Sequence, residues 1–402
     1  MTDEIRSTRA LWFILFAMTL VQVLATFAVL TLAAIAPAVA EGVDVPVEFI
    51  GFQVAIIYTG ASSISALSDF LLRRWGPARV SQISLALCGG GVALSALPSV
   101  PVMALGALLL GFGYGMTNPS ATQILMRLTP NSARNFVFSV KQTGVPFGGM
   151  AAGLVAPGAA ETFGWQAAPL IVAAGCVVLM FALQPWRNRW DTDREPHARL
   201  DASAFAAVAM VWRVPALRWM SIGGFTYAFT QLSLSTFAVT ILVVEAQFSL
   251  VAAGAVLAAI QAAGIIGRVV WGIVADRWGI GDALLIVIGV MNLASAFAMV
   301  WIGPGWPVWA IYFFFVAFAT SALGWTGVFI SSTVGHAPRA QSGAVAGGIG
   351  VPVYAGVIFG TAILSALADA MGSVSNTYAV VMGVVALGLG AFVMARRSAA
   401  AN

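Results

Sequence analysis

Between Arg9 and Glu41 the chain carries no charged side chain, and apolar runs of this kind recur to its end. A hydrocarbon core about 30 Å thick needs about 20 apolar residues for one helical crossing. Lipid offers no partner for open backbone groups, so a segment within it folds as a helix or as part of a closed barrel. These runs are much longer than the roughly ten-residue alternating segments of barrel strands. Helices are therefore expected. Composition agrees: 60% of the residues are hydrophobic and 8% charged, against about 25% charged in soluble domains. Mean hydropathy is +0.94.

Predicted spans lie near 11–38, 49–71, 79–97, 102–125, 136–157 and 166–185, then 216–244, 249–275, 281–302, 306–334, 341–369 and 374–395. The fold class this predicts is an all-α membrane protein of twelve transmembrane helices in two six-helix bundles. The bundles cover residues 1–186 and 216–402, with the polar stretch 187–215 as linker. Within that linker, Phe205 to Trp212 reads as a short helix lying along the interface. The first span is too long for a signal-peptide core, so it is expected to remain as helix 1. Cys88 and Cys176 fall inside spans and read as small core residues.

Basic residues set the orientation. Every arginine except Arg268 falls in segments on one side, whereas the opposite loops carry Glu41, Asp44, Glu48, Glu161 and Glu245 and no Arg or Lys. Both termini are thus expected in the cytoplasm. The net charge of +4 reflects this topology, which sets aside a nucleic-acid partner. Enzyme classes lack their signatures. The single lysine follows valine, so there is no P-loop; the only histidines are His197 and His336; no Gly-x-Ser-x-Gly occurs. No cofactor or metal is expected. Low lysine and high alanine point to a GC-rich bacterium, and hence to a bacterial inner membrane.

The halves repeat each other. "SALSDFLLRRWGPAR" at the end of helix 2 matches "WGIVADRWGIGD" at the end of helix 8, and "KQTGVPFGG" in helix 5 matches "GGIGVPVYAG" in helix 11. Such correspondence is typical of transporters built from repeats. On these motifs the chain resembles the major facilitator superfamily along essentially its whole length. The resemblance implies alternating access between pseudo-symmetric bundles. It also implies that Asp69, Arg73, Asp276 and Arg277 form cytoplasmic charge locks, although the first copy has Ser65 where the family's loop begins with glycine. "GVPFGG" is similar to the family's fifth-helix antiporter signature, with Val145 in place of glycine. Gly144, Gly148, Gly149 and Gly153 permit close backbone approach, and Pro146 invites a bend. Gly343, Gly347, Gly350, Pro352, Gly356 and Gly360 repeat the device in helix 11.

Two charges lie deep in spans, where charge is expensive and usually functional. Lys141 is about 7 Å inside helix 5, and Arg268 about 12 Å inside helix 8. Inserting each costs about 2.5–3.5 kcal/mol, and the acidic residues fall in loops or near helix ends. A small anionic substrate is the natural partner, since arginine presents a fork that fits a carboxylate. The competing readings are snorkelling for Lys141 and a bond to helix-end carbonyls for Arg268.

"GRVVWGIVADRWG" also looks like helix 8 of the monocarboxylate and oxalate–formate exchanger branches, whose carboxylate-binding arginine maps to Arg268. This chain departs from them with Gly264 where proton-coupled carriers have aspartate, and with Lys141 on helix 5 where the exchangers use helix 11. Gln142, Tyr114, Asn118, Tyr227, Gln231, Gln261, Trp325 and Tyr354, with Gln22, Thr26 and Tyr58, are candidate cavity-lining residues. Coupling falls to a counter-anion, or to a proton carried on the substrate or on Lys141. A monomer is expected. A proton-coupled efflux antiporter of the same superfamily is the alternative.

Overall fold

In a computed structural model, residues 8–65, 67–129, 137, 140–192, 194–195, 211–303, 305–336 and 349–400 are described. Among them the chain is helical, with no strand. Its main helices are α1 (Thr8–Ala34), α2 (Ile50–Ser65), α3 (Pro77–Leu94), α4 (Val100–Leu128), α5 (Gly144–Phe163) and α6 (Ala167–Ala182). They continue with α7 (Pro215–Thr240), α8 (Leu250–Trp278), α9 (Gly281–Met299), α10 (Val308–Ala322, resuming at Thr326–Gly335), α11 (Gly350–Met371) and α12 (Tyr378–Ala400). Ten of the described helical stretches are long and apolar enough to cross a membrane. The other two members of the twelve are α3 and α5, whose glycines, prolines and polar side chains dilute an otherwise apolar run. Large side chains such as Phe16, Phe163, Phe181, Trp309, Phe313 and Leu387 face outward, as a lipid-facing surface requires.

The chain divides into two units: Met1–Asp44 with Ile56–Asp201, and Val45–Ala55 with Ala202–Asn402. Each is built alike. In unit 1, α5 packs on α1, and a β-carbon on Gly148 would lie 2.4 Å from the Val23 carbonyl oxygen. In unit 2, α11 packs on α7, where a β-carbon on Gly356 would lie 2.1 Å from the Phe225 carbonyl oxygen. Small residues let backbones approach where lipid gives helices no hydrophobic reason to associate.

Several boundaries differ from the sequence expectation. The first span breaks at Ile35 and resumes as a short helix, Ala36–Val43, with Pro37 in its first turn, where its missing N–H is harmless. Pro157 lies inside α5 instead of near its end. The span predicted at 306–334 is interrupted between Ala322 and Thr326, and α7 ends in a π turn, Ile241–Glu245. Helices α5 and α11 start at the repeat-related glycines Gly144 and Gly350, each with its proline, Pro146 or Pro352, two residues later. Gly343, Gly347, His197 and most of the stretch from Phe205 to Trp212 lie outside the described residues.

Candidate functional site

Lys141 sits in a helical turn just ahead of α5, and its side chain is buried. Its ammonium donates to Gln22 Oε1 of α1 at 2.9 Å and to Gln142 Oε1 at 3.4 Å, and also to Asn118 Oδ1 of α4. An ammonium has three protons to donate, and three amide oxygens receive them. All three partners are neutral. Burial on this scale also rules out snorkelling to a headgroup.

Each partner is placed by its own helix. Gln22 donates its amide to Thr26 Oγ1, one turn on, at 3.2 Å, which turns its oxygen toward Lys141. Gly144 lets α5 lie close enough for this bond, because a β-carbon there would meet Gln22 Cβ and the Thr19 carbonyl oxygen at 2.9 Å. Asn118 precedes Pro119, an interior proline of α4 that cannot bond to the Gly115 carbonyl. Ser65 of α2 supplies the replacement, sharing its hydroxyl between Ala61 and Gly115 carbonyls at 2.7 and 3.2 Å. One turn before Asn118, Tyr114 packs edge-on against Tyr58, ring centroids 5.7 Å apart.

In unit 2 Arg268 is half-buried on α8, and its Nε donates to the Leu323 carbonyl at 3.1 Å. Trp271, three residues on, donates its indole N–H to the Thr320 carbonyl at 2.8 Å. Both acceptors belong to the point where α10 breaks, whose last carbonyls have no helical partner. Arg268 and Trp271 supply that partner from the neighbouring helix. Gly267 and Gly324 bring α8 and α10 together there, with a β-carbon on Gly267 only 2.3 Å from the Thr320 carbonyl oxygen.

The other expected residues of unit 2 fall into a contacting group, Trp325, Gln231 and Tyr227, and two further positions, Gln261 and Tyr354. Trp325 donates to Gln231 Oε1 at 2.8 Å and packs edge-on against Tyr227, centroids 5.5 Å apart. Tyr227 is fully buried and gives its hydroxyl to the Leu285 carbonyl of α9. That is a core position, with Phe392 on its other side. Gln261 reaches Ser235 of α7 at 3.5 Å, and Tyr354 is half-buried on α11.

The expected gating residues are placed as follows. Gly144, Pro146 and Gly148 are buried in unit 1, whereas among the described residues nothing lies within 4 Å of a β-carbon on Gly350. Asp276 and Arg277 are exposed at the end of α8. The backbone of Asp69 and Arg73 belongs to a short helix, Ser68–Trp75, and the Arg73 carbonyl accepts from the Glu195 N–H at 2.6 Å.

Two features were not anticipated. His336, expected only as a loop residue, pairs with Asp282 at the start of α9, Nε2 to Oδ2 2.9 Å. The bond to the carboxylate raises His336 from its ordinary 6.5 against the opposing effect of burial. Asp191 caps α3, accepting from the backbone N–H groups of Ala78 and Arg79 at 2.7 and 3.1 Å. Nothing in the local sequence says which helix Asp191 caps.

The model of the Major Facilitator Superfamily matches residues 18–361. The chain belongs to that superfamily. It is a membrane transporter, not an enzyme. A curated relative, the 2-nitroimidazole transporter of Escherichia coli (strain K12), is 30% identical over 156 residues, which is 39% of this chain and 38% of that protein. Among solved structures, a bacterial homolog of the human lysosomal transporter Spinster, inward-facing and unoccupied, matches with a TM-score of 0.75 at 16% identity. That match covers 98% of this chain and 96% of the other. A peptide transporter in complex with sulfate gives 0.76 at 15%, covering 96% and 95%. A nucleoside transporter gives 0.77 at 14%, covering 95% and 99%. At these identities the likeness is one of fold.

Proposed function

We propose that this chain is a secondary transporter that moves a small organic anion, a mono- or dicarboxylate, by alternating access. Lys141 and Arg268 bind the anionic group. One observation carries the reading: a buried ammonium whose hydrogen-bond partners, among the described residues, are Gln22, Asn118 and Gln142, none of them charged. Amide oxygens satisfy its donors and leave its charge in place. A charge in a membrane interior is normally compensated, and an incoming carboxylate would supply the compensation and exchange places with one amide. Gln142 is exposed and makes the longest of the three bonds, so it is the partner to be displaced. Arg268 brings the second positive charge, its Nε donating to the Leu323 carbonyl at the break in α10.

In this account the halves 1–186 and 216–402 move about the linker 187–215. Helices α5 and α11 flex near Gly144, Pro146, Gly148, Gly350 and Pro352, while Asp69, Arg73, Asp276 and Arg277 hold one end shut. The transporter works as a monomer in a bacterial inner membrane with both termini in the cytoplasm, coupled to a counter-anion or a proton. A second reading, efflux of a nitro-substituted heterocycle, is favoured by the relative named as a 2-nitroimidazole transporter. A nitro group presents two acceptor oxygens much as a carboxylate does, without the full charge.

Ligand-induced thermal stabilisation of the purified protein separates the two. A ligand that binds only the folded state at 100 times its Kd stabilises by about 2.7 kcal/mol. Acetate, oxalate, benzoate, 2-nitroimidazole and tetraphenylphosphonium form the panel. Stabilisation by a carboxylate, lost in Lys141→Met, is expected. Stabilisation by 2-nitroimidazole alone would move the assignment to the second reading, and by the lipophilic cation alone would defeat both.

A further inference from the structure

Away from Lys141, unit 1 contains a cavity of about 380 Å³ lined by Arg74, Arg79, Arg187, Arg194, Trp75 and Ile83. That volume is within the range of small-ligand sites, about 300–1,000 Å³. Four guanidiniums share it, and among the described residues that line it none is acidic. Among the described residues Asp191 approaches the cluster, its Oδ2 3.9 Å from Arg187 Nε. Asp191 is already engaged with the first N–H groups of α3, so among the described residues Asp191 and Glu195 offset the four cations incompletely. Glu195 is exposed to solvent beside the cluster.

The cluster is held together by backbone, not by chance side-chain positions. Glu195 N–H to the Arg73 carbonyl at 2.6 Å brings Arg194 beside Arg74. Gly76, at φ 84°, turns the chain where a β-carbon would strike the Asp191 carboxylate at 2.5 Å, and so presents Arg79 from the first turn of α3. Arg127 fixes the end of the Arg187–Trp190 helix by donating to the Trp190 carbonyl at 2.6 Å.

Aromatic rings give the depth. Phe13 packs on Trp186 at 4.7 Å, Trp186 stacks on Trp190 at 6.3 Å, and Arg189 lies over Trp186 at 5.5 Å. Tryptophans with arginine at a helix end mark the headgroup layer. Basic pockets between transmembrane helices at that depth bind phosphate headgroups.

We propose that this cavity binds a phosphate-bearing anion, presented by an anionic phospholipid of the surrounding leaflet. The arginine forks take the phosphate oxygens bidentately, and Trp75 and Ile83 give the glycerol and first acyl carbons an apolar wall. The lipid would then join the α2–α3 connection to the end of α6, both within unit 1.

Native mass spectrometry of the full chain in detergent tests this with phosphatidylglycerol, phosphatidylethanolamine and inorganic pyrophosphate. Wild type is expected to retain phosphatidylglycerol over phosphatidylethanolamine. Arg74→Gln with Arg194→Gln should lower that retention about thirtyfold, two surface arginines being lost. Arg397→Gln, basic but at the end of α12, should leave it unchanged. Arg74→Lys with Arg194→Lys keeps the charge without the forks, so its retention should fall between wild type and the double glutamine variant, which separates loss of charge from damage to the fold. Equal retention of the two lipids, or retention unaffected by the double glutamine variant, overturns the site. Binding of pyrophosphate without any lipid preference overturns the lipid as its source.

Discussion

Gly148→Ala tests whether the contact between α1 and α5 supports the Lys141 site. The added methyl would lie 2.4 Å from the Val23 carbonyl oxygen, 2.7 Å from Thr26 Cβ and 2.9 Å from the Phe27 nitrogen. Two of these are backbone atoms, which cannot swing aside. Comfortable contact is about 3.5 Å, so α5 must retreat from α1 by about 1 Å. Overpacking of this kind costs about 1–3 kcal/mol, or about 2–12 °C in Tm for a unit of roughly 200 residues. The same retreat carries Lys141 away from Gln22, so transport should fall with stability. Gly158→Ala, on the same helix, provides the contrast. Nothing lies within 4 Å of a β-carbon there, and replacing a helical glycine gains up to about 1 kcal/mol. Thermal unfolding of both variants, read beside solute uptake into proteoliposomes, decides the matter. If Gly148→Ala melts and transports like wild type, the close packing of α1 on α5 is not what holds the site.

Arg268→Gln removes a donor from the Leu323 carbonyl and should lower stability by about 1–3 kcal/mol as well as abolish saturable anion uptake; intact uptake kinetics would leave Arg268 a purely structural residue. Tyr227→Phe deletes a buried hydroxyl that serves the Leu285 carbonyl, so Tm should drop by an amount corresponding to about 1–3 kcal/mol while substrate affinity stays the same. A selective loss of affinity would return Tyr227 to the binding surface. His336 contributes stability when protonated, because Asp282 raises it from its ordinary 6.5 and its other neighbours there are Ser332 and, through Asp282, Arg396. That contribution is complete below the ordinary value and disappears as pH rises through the raised one. His336→Gln should flatten this part of the Tm–pH profile, and an unchanged profile would show that the pair is not linked to folding.

The helices were legible because lipid leaves the backbone few choices, and even the repeat survived translation: the glycines aligned by sequence, Gly144 and Gly350, are where α5 and α11 begin. Lys141 stood out because a lone lysine in an apolar run demands a partner, yet which atoms answer it was not legible. Gln22 lies in a different helix far away in sequence, and its role depends on Gly144 allowing α5 to approach. The break in α10 had no proline to announce it. It is held from outside by Arg268 and Trp271, so only tertiary contact reveals it. Tyr227 and Gln261 read as cavity residues because polar groups in spans invite that reading; which atoms they bond, a carbonyl of α9 and a serine of α7, was not legible.

The most direct measurement is uptake of radiolabelled acetate, oxalate and benzoate into proteoliposomes by wild type and Lys141→Met. Methionine matches the length of the lysine stem and removes only the charge and its three donors. The account predicts saturable uptake of at least one of these acids by wild type and a loss of at least tenfold in the variant, with the fold retained. Uptake with the same kinetics in both proteins would contradict the claim that Lys141 binds the anion.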